Sequence, residues 1–463
     1  MKKLLITAPL LLLLSLKPLF AGVAKGIDVR EVQTILASFC FNPGPVDGVW
    51  GKKTEKAAED FFTKYFKIYG GYFGNVQLKM LQSYNRSGVV KGEALKRCSP
   101  IISKKIVSKN LNSLQKNLET KLNNRRTINV FKAWDSPGTF GDVYQKKYGL
   151  YWTVKPKGPR NTILLDQINW AFNYPRYKYD NYAGIEKFIS EASWGHDKEY
   201  GETYAIKLNH PDYAAYMADI AFSTVLENSS SGIMLDWWHD EHPTNIPKHQ
   251  IRHAREKFLT EYRKLDNGKT IVLGNVNDRR DLKFARLTNG VFLEHFKEPF
   301  RQYRSSELFE MQRTLQFFDE NLLWPKIVAF NAWKKSEKGI STKSNRVSQT
   351  NKKFAKLFTA MAIVIPENGY ILFGDNNQDE LDSDHNHHYY DFYSFDIGKP
   401  TGGYEKLANG VGIKQHQKGF IAYNVNSRPH RLKLDNNVNL VIEGTSGLFC
   451  KKKSSGYDCL PPD

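Results

Sequence analysis

Between residues 128 and 400 the sequence alternates short β-branched or aromatic runs with helical stretches, and this alternation restricts the fold more than any other feature. The runs are Ile128–Trp134, Thr203–Leu208, Gly232–Asp236, Thr270–Gly274, Val291–Glu294, Lys326–Phe330 and Tyr370–Phe373, with Tyr148–Val154 and Thr162–Leu165 competing for the second strand. Helices fit between them at Asp212–Leu226, Lys248–Arg263, Ser306–Glu320 and Asn351–Ile365. Strands separated by helices of this length must run parallel, because a parallel return needs a long crossover. Seven or eight such repeats over roughly 270 residues fit an α/β fold of the (β/α)8 TIM-barrel type. A doubly wound open sheet competes with it, but usually carries a Gly-rich phosphate turn. Neither GxGxxG nor GxxxxGK[ST] occurs here.

The flanks extend this plan to a barrel between a small N-terminal three-helix domain and a C-terminal β-sheet cap. Met1–Ala24 has the form of a secretory signal. Lys2 and Lys3 precede the apolar run Leu4–Leu16, and Ala21, Gly22 and Ala24 follow as small residues. A run of thirteen residues is too short to span ~30 Å of hydrocarbon. No later stretch is long and apolar enough, so the sequence predicts a secreted or periplasmic protein without a transmembrane segment. Four cysteines suit that oxidising compartment and allow three pairings. Proximity favours Cys40–Cys98 and Cys450–Cys459, with no zinc spacing.

Residues 27–100 carry helical periodicity at Val32 and Leu36, a turn-rich stretch from Asn42 to Gly51, and an apolar face at Ala57, Ala58, Phe61 and Phe62. Thr54 is the expected N-cap of the second helix, and a third helix is expected around Val76–Tyr84. Residues 101–127 hold seven Lys/Arg against one acid, Glu119, with Leu111, Leu114, Leu118 and Leu122 at helical spacing. They predict a basic amphipathic linker helix. Residues 401–463 read as β-rich, with runs at Gly419–Asn424, His430–Leu434 and 438–450.

The formal net charge is +19, of which the leader carries three lysines. An exported cationic protein points to an acidic polysaccharide or the cell envelope as partner, and away from nucleic acid.

In a barrel the chemistry sits at the C-terminal ends of the strands. Gly232-Ile233-Met234-Leu235-Asp236 and Gly290-Val291-Phe292-Leu293-Glu294 each run apolar and stop at an acid. A carboxylate placed so is costly to bury unless it is paired or used. Two carboxylates across one pocket are the equipment of glycoside hydrolysis, with one as acid and the other as nucleophile or base. Asp236 and Glu294 are therefore the candidate catalytic pair. Trp237 and Trp238 offer flat faces for sugar rings. His239 and Asp240 follow, with Asp240 and Glu241 as rival acids. Asn275, Asn277, Asn331 and Trp333 stand at further strand tips, and Trp134 and Asp135 close the first strand. Asp375 opens a polar loop that continues through the Asp382–Tyr390 cluster. That cluster lacks zinc spacing, so no metal or cofactor is expected.

Two stretches resemble known families. Val32, Gln33 and Leu36, then Asp47-Gly48, Trp50-Gly51, Thr54 and Ala57, resemble the peptidoglycan-binding-like three-helix module. The resemblance implies attachment to peptidoglycan or the cell envelope. Residues 128–425 resemble glycoside hydrolase-like TIM barrels of the GHL type, akin to endo-α-1,4-polygalactosaminidases. The resemblance rests on Leu208-Asn209-x-Pro211, the two acid-ended strands, Tyr390-Asp391-Phe392, Asp396-Ile397-Gly398-Lys399-Pro400 and Gly419–Asn424. It implies a glycoside hydrolase with Asp236 as nucleophile and Glu294 as acid/base. With the leader and the charge, the expected function is a secreted glycoside hydrolase on a cell-surface or extracellular polysaccharide, against the alternative of a non-catalytic carbohydrate-binding or cell-wall-anchoring protein on a barrel scaffold.

Overall fold

A computed structural model describes residues 22–39, 41–66, 72–87, 100–134, 148–173, 182, 185–197, 201–242, 244–295, 303–334, 336, 339–375, 388–434 and 439–461. Residues 1–21 of the leader, Cys40, Cys98, Asp135 and the polar stretch 376–387 lie outside them. The chain divides into two compact units after Ile106.

The first unit holds α1 (Val29–Ser38), α2 (Lys52–Phe66) and α3 (Asn75–Ser87), with β1 (Gly22–Val23) and β2 (Tyr72–Phe73) as a short parallel pair. Asp28 caps α1 by accepting the N–H groups of Arg30 and Glu31. Val32, Leu36, Ala58, Phe61, Phe62 and Leu81 fill the core. Thr54 does not cap α2, which starts two residues earlier. Its hydroxyl is buried, donating to the Pro43 carbonyl and accepting from Gln33 Nε2. Asp47 and Gly48 make a turn: Asp47 Oδ1 accepts the Val49 N–H at 2.9 Å, and Gly48 has φ +81°, which glycine adopts without steric cost.

The second unit is the barrel. Its parallel strands are β3 (Phe131–Ala133), β4 (Leu150–Thr153), β5 (Ile163–Asn169), β9 (Gly232–Asp236), β10 (Ile271–Asn275), β11 (Gly290–His295), β12 (Ile327–Trp333) and β13 (Asn368–Gly374). The sheet order is β13-β12-β11-β10-β9-β5-β4-β3, and a parallel bridge between Val130 and Ile371 closes it. Alternate side chains point inward, and the inner set is Phe131, Leu150, Trp152, Leu165, Met234, Leu273, Phe292, Ala329 and Leu372 among others. Leu118 and Leu122, from helix α4 (Pro100–Asn123), belong to the same core.

Three expectations change. Tyr148–Val154 and Thr162–Leu165 do not compete; both are barrel strands. Thr203–Leu208 is not one. It falls in an antiparallel excursion made by β6 (Phe172–Asn173), β7 (Ile189–Asp197) and β8 (Gly201–Ile206), so the eighth strand comes from the 148–169 region instead. Lys326–Phe330 extends to Trp333, which puts Asn331 inside β12 rather than past it.

The helices α5 (Tyr213–Asn228), α6 (Lys248–Asp266), α7 (Leu282–Ala285), α8 (Ser305–Asn321), α9 (Thr342–Val347) and α10 (Gln349–Val364) cover the later strands. No helix of the described residues is long and apolar enough to cross a membrane. From Phe354 to Val364 every residue of α10 is buried, so this part of the helix is covered on all sides. Its second face meets the C-terminal sheet β14 (Glu405–Ala408), β15 (Val411–His416), β16 (Gly419–Asn424), β19 (Ser446–Lys453) and β20 (Gly456–Cys459). A Cβ on Gly447 would lie 2.3 Å from the Lys356 carbonyl oxygen, so only glycine allows this approach. The hairpin β17 (His430–Lys433) and β18 (Asn439–Ile442) sits beside the sheet, and the Cys450–Cys459 disulfide staples β19 to β20. Buried Lys414 donates to the carbonyls of Ile363 and Pro366 at the end of α10.

Candidate active site

The inward register that builds the barrel core also decides which polar residues reach its mouth. On β9 the inward set runs Met234, Asp236; on β10, Leu273, Asn275; on β11, Phe292, Glu294; on β12, Ala329, Asn331. Both candidate carboxylates therefore face into the barrel at its C-terminal end, directly above the apolar core. Asn275 Nδ2 donates to Asp236 Oδ1 at 2.9 Å, and the Trp237 N–H donates to the same oxygen at 3.0 Å. Two charge-assisted donors orient the carboxylate. Glu294 is half-buried and pairs in register with Asn331 on the next strand.

Asn331 is 0% exposed; its Oδ1 accepts the Trp333 indole N–H, while its Nδ2 is buried with no hydrogen bond. A buried amide donor left unused beside a candidate acid is costly unless a ligand takes it up. On the other side of Asp236, β5 contributes Asn169, in register with Asp236, and Gln167, whose Nε2 donates to Asn169 Oδ1 at 3.1 Å. Sequence reading missed both residues. The available signal was the alternation at the end of Ile163–Asn169, where polar residues occupy the inward positions 167 and 169.

Three residues at the same end have left-handed backbone. Trp134 follows β3 with φ 50°, Trp237 follows β9 with φ 55°, and Asn277 follows the end of β10 with φ 55°. Bulky residues in the left-handed region are uncommon, and such outliers cluster at functional sites. The Trp134 ring lies 5.7 Å from Phe292 and 6.1 Å from Trp152, on the barrel core. The half-buried Trp237 ring meets Phe172 edge-on at 4.8 Å. The Asn277 N–H donates to Asn275 Oδ1.

Several expected contacts are corrected. Trp238 is 1% exposed and packs against Trp170, Phe258 and Phe284, so neither face is open to a sugar. The left-handed Trp237 turns the chain so that the next side chain enters the helical layer. Asp240 is no rival acid, since Arg252 and Arg255 bind its two oxygens at 2.5 and 2.7 Å. Glu241 pairs with Arg279 at 2.5 Å. His239 is buried away from the mouth; burial and two arginines pull its pKa down to about 4. Trp333 is buried, with its indole on Asn331.

Asp375 is 0% exposed and points outward. It accepts Arg346 Nε at 3.1 Å and the Tyr390 hydroxyl at 2.5 Å, and burial raises its pKa. Among the described residues no group of three His, Cys, Asp or Glu could hold a metal ion.

The chain matches no known family model and none of the curated proteins. Solved structures similar to it include the glycoside hydrolase domain of PelA from Pseudomonas aeruginosa, at 11% identity over 56% of this chain and 98% of that one, with a TM-score of 0.38. A maltogenic α-amylase, AmyB from Thermotoga neapolitana, shares 10% identity over 73% and 97%, also at 0.38. Aspergillus fumigatus Ega3 in complex with galactosamine shares 8% over 55% and 92%, at 0.33. All three scores are below 0.5; strand order and closure, described above, are what establish the barrel.

Proposed function

We propose that the chain is a glycoside hydrolase acting on an extracellular polysaccharide, with Asp236 and Glu294 as its carboxylate pair. The observation that carries this reading is the convergence of both acids on the inward register at the C-terminal end of the barrel. β9 and β11 are separated by one strand, so their backbones stand about 9–10 Å apart, and inward side chains narrow that gap. Glycosidase pairs lie about 5–5.5 Å apart for retention and about 6.5–9.5 Å for inversion. Asp236, held by Asn275 and the Trp237 amide, acts as the ionised partner. It attacks the anomeric carbon, or takes a proton from the attacking water. Glu294, as a carboxylic acid, gives its proton to the departing glycosidic oxygen. Asn331 Nδ2 and the amides of Asn169 and Asn275 supply hydrogen bonds to sugar hydroxyls, while Trp134 and Trp237 supply stacking faces.

Export of the chain rests on the leader and agrees with the Cys450–Cys459 bridge, a bond that persists in oxidising compartments. Attachment of the N-terminal unit to peptidoglycan or the envelope rests on its sequence resemblance. The test is release of reducing ends from bacterial exopolysaccharides and peptidoglycan. Asp236→Asn and Glu294→Gln should each lower turnover by about 10³-fold or more, since each removes a group that acts in bond cleavage. Wild-type turnover in Asp236→Asn sinks the site assignment. Glycan retention with no turnover by the wild type leaves a carbohydrate-binding protein instead.

A further inference from the structure

A cavity of about 360 Å³ lies on the outer side of β10 and β11, walled by the loop that follows β9. Its origin is a gap in the helical layer. The crossover from β10 to β11 carries only the four-residue α7, where its neighbours α6 and α8 have 19 and 17 residues. The floor is apolar, with Val291, Phe284 and Phe318, and the walls are cationic.

The walls hold five basic side chains, Lys248, Arg252, Arg255, Arg279 and Arg280, against three acids, Asp240, Glu241 and Asp281, and several of the basic donors are unused. Arg255 reaches in from α6, is 2% exposed, and lies with its guanidinium carbon 3.6 Å from the centre of the Phe284 ring. Its Nη atoms serve Asp240 and the Trp238 carbonyl, but its Nε is buried with no hydrogen bond. Arg279 gives one Nη to Glu241, and its other Nη is likewise buried and unused. Lys248 has no ion pair among the described residues. His239 accepts the Glu241 N–H on Nδ1, so in the neutral ring the proton stands on Nε2, a further donor with no hydrogen bond among the described residues. Both oxygens of Asp240 are already taken by arginines.

We propose that this cavity is a binding site for an oxyanion, a carboxylate or phosphate carried on a molecule about the size of one sugar ring. Four donors, one on the buried Arg255 guanidinium and one on the half-exposed Arg279, select acceptor-only anionic groups over neutral hydroxyls. The volume is in the ~300–1,000 Å³ range of small-ligand sites. The site shares the 237–241 loop with the barrel mouth: the His239 ring lies 5.3 Å from Trp237, which follows Asp236. It stands independently of the hydrolase reading, since binding rather than turnover is measured.

The test is isothermal titration of the full secreted chain with D-glucuronate, inorganic phosphate and D-glucose. At least one anion should bind and glucose should not. Affinity should drop about tenfold in Lys248→Gln and in Arg279→Gln, and should weaken as ionic strength rises from about 0.01 to about 0.15 M. Glucuronate binding alone assigns the site to a sugar acid, and phosphate binding alone to a phosphorylated ligand. No anion binding, glucose binding as well as the anions, or anion affinities unchanged in both variants overturns the proposal. Both substitutions are on the rim, and retention of the near-ultraviolet circular dichroism spectrum certifies their fold.

Discussion

β9 and β13 are written alike in the sequence: each runs apolar and ends near an aspartate. They place that aspartate oppositely. On β9 the inward positions are even-numbered and include Met234, so Asp236 enters the mouth. On β13 the inward positions are also even-numbered, with Tyr370 and Leu372, so Asp375 turns outward. There it is enclosed by Arg346 and Tyr390, with Asn351 donating to the Tyr390 hydroxyl in turn. One residue of register separates a candidate nucleophile from a structural ion pair, because successive side chains on a strand take opposite faces. β5 repeats the lesson. Asp166 sits between inward Leu165 and Gln167, faces the helical layer, and accepts Asn228 Nδ2 at 2.5 Å, while its Oδ2 is buried without a hydrogen bond.

The contrast can be broken by substitution. Asp375→Ala should cost about 3 kcal/mol of stability, because it strands a partly buried guanidinium and a buried tyrosine hydroxyl. Chemical denaturation measures this, and activity per folded molecule should stay near wild type. A large loss of turnover with unchanged stability would instead put Asp375 in the active site.

Asp166 predicts a pH effect with a defined sign. Burial raises its pKa from 3.8 to about 6, so the folded protein holds this proton more tightly than the unfolded chain. Its contribution should fall as pH rises through the window from 4 to 6, by up to about 3 kcal/mol. Asp166→Asn should flatten that slope, as read from denaturation midpoints across the window. An unchanged slope would show that Asp166 titrates normally.

The smallest effect concerns the aromatic rim. Trp237→Ala should raise KM about tenfold with a lesser change in kcat, as expected for a stacking face worth about 1–1.5 kcal/mol. A loss confined to kcat would argue that the indole instead positions Asp236 through the backbone.

Much of this architecture was legible in the residues alone. Short β-branched or aromatic runs mark most of the barrel strands, although Thr203–Leu208 falls in the antiparallel excursion and both runs of 148–169 are strands. Helical periodicity marks Leu111, Leu114, Leu118 and Leu122, all buried as a stripe, and the proximity of Cys450 to Cys459 marks their bridge. The acid-ended strands at Asp236 and Glu294 are visible because a charge directly after four apolar residues stands out in any strand. Asn169 and Gln167 were not recognised, since two neutral amides carry no such signal.

What required the tertiary structure is the set of partners. Asp240, Glu241, Trp238 and Asp375 are as plausible in the sequence as Asp236 and Trp237. Their fates turned on Arg252, Arg255, Arg279 and Arg346, which reach them from other elements. Likewise the four-residue α7 becomes meaningful only beside its long neighbours. Local sequence governs periodicity and turn chemistry because both act over a few residues. Burial, ion pairing and cavity formation depend on residues tens of positions apart, so only the folded chain decides them.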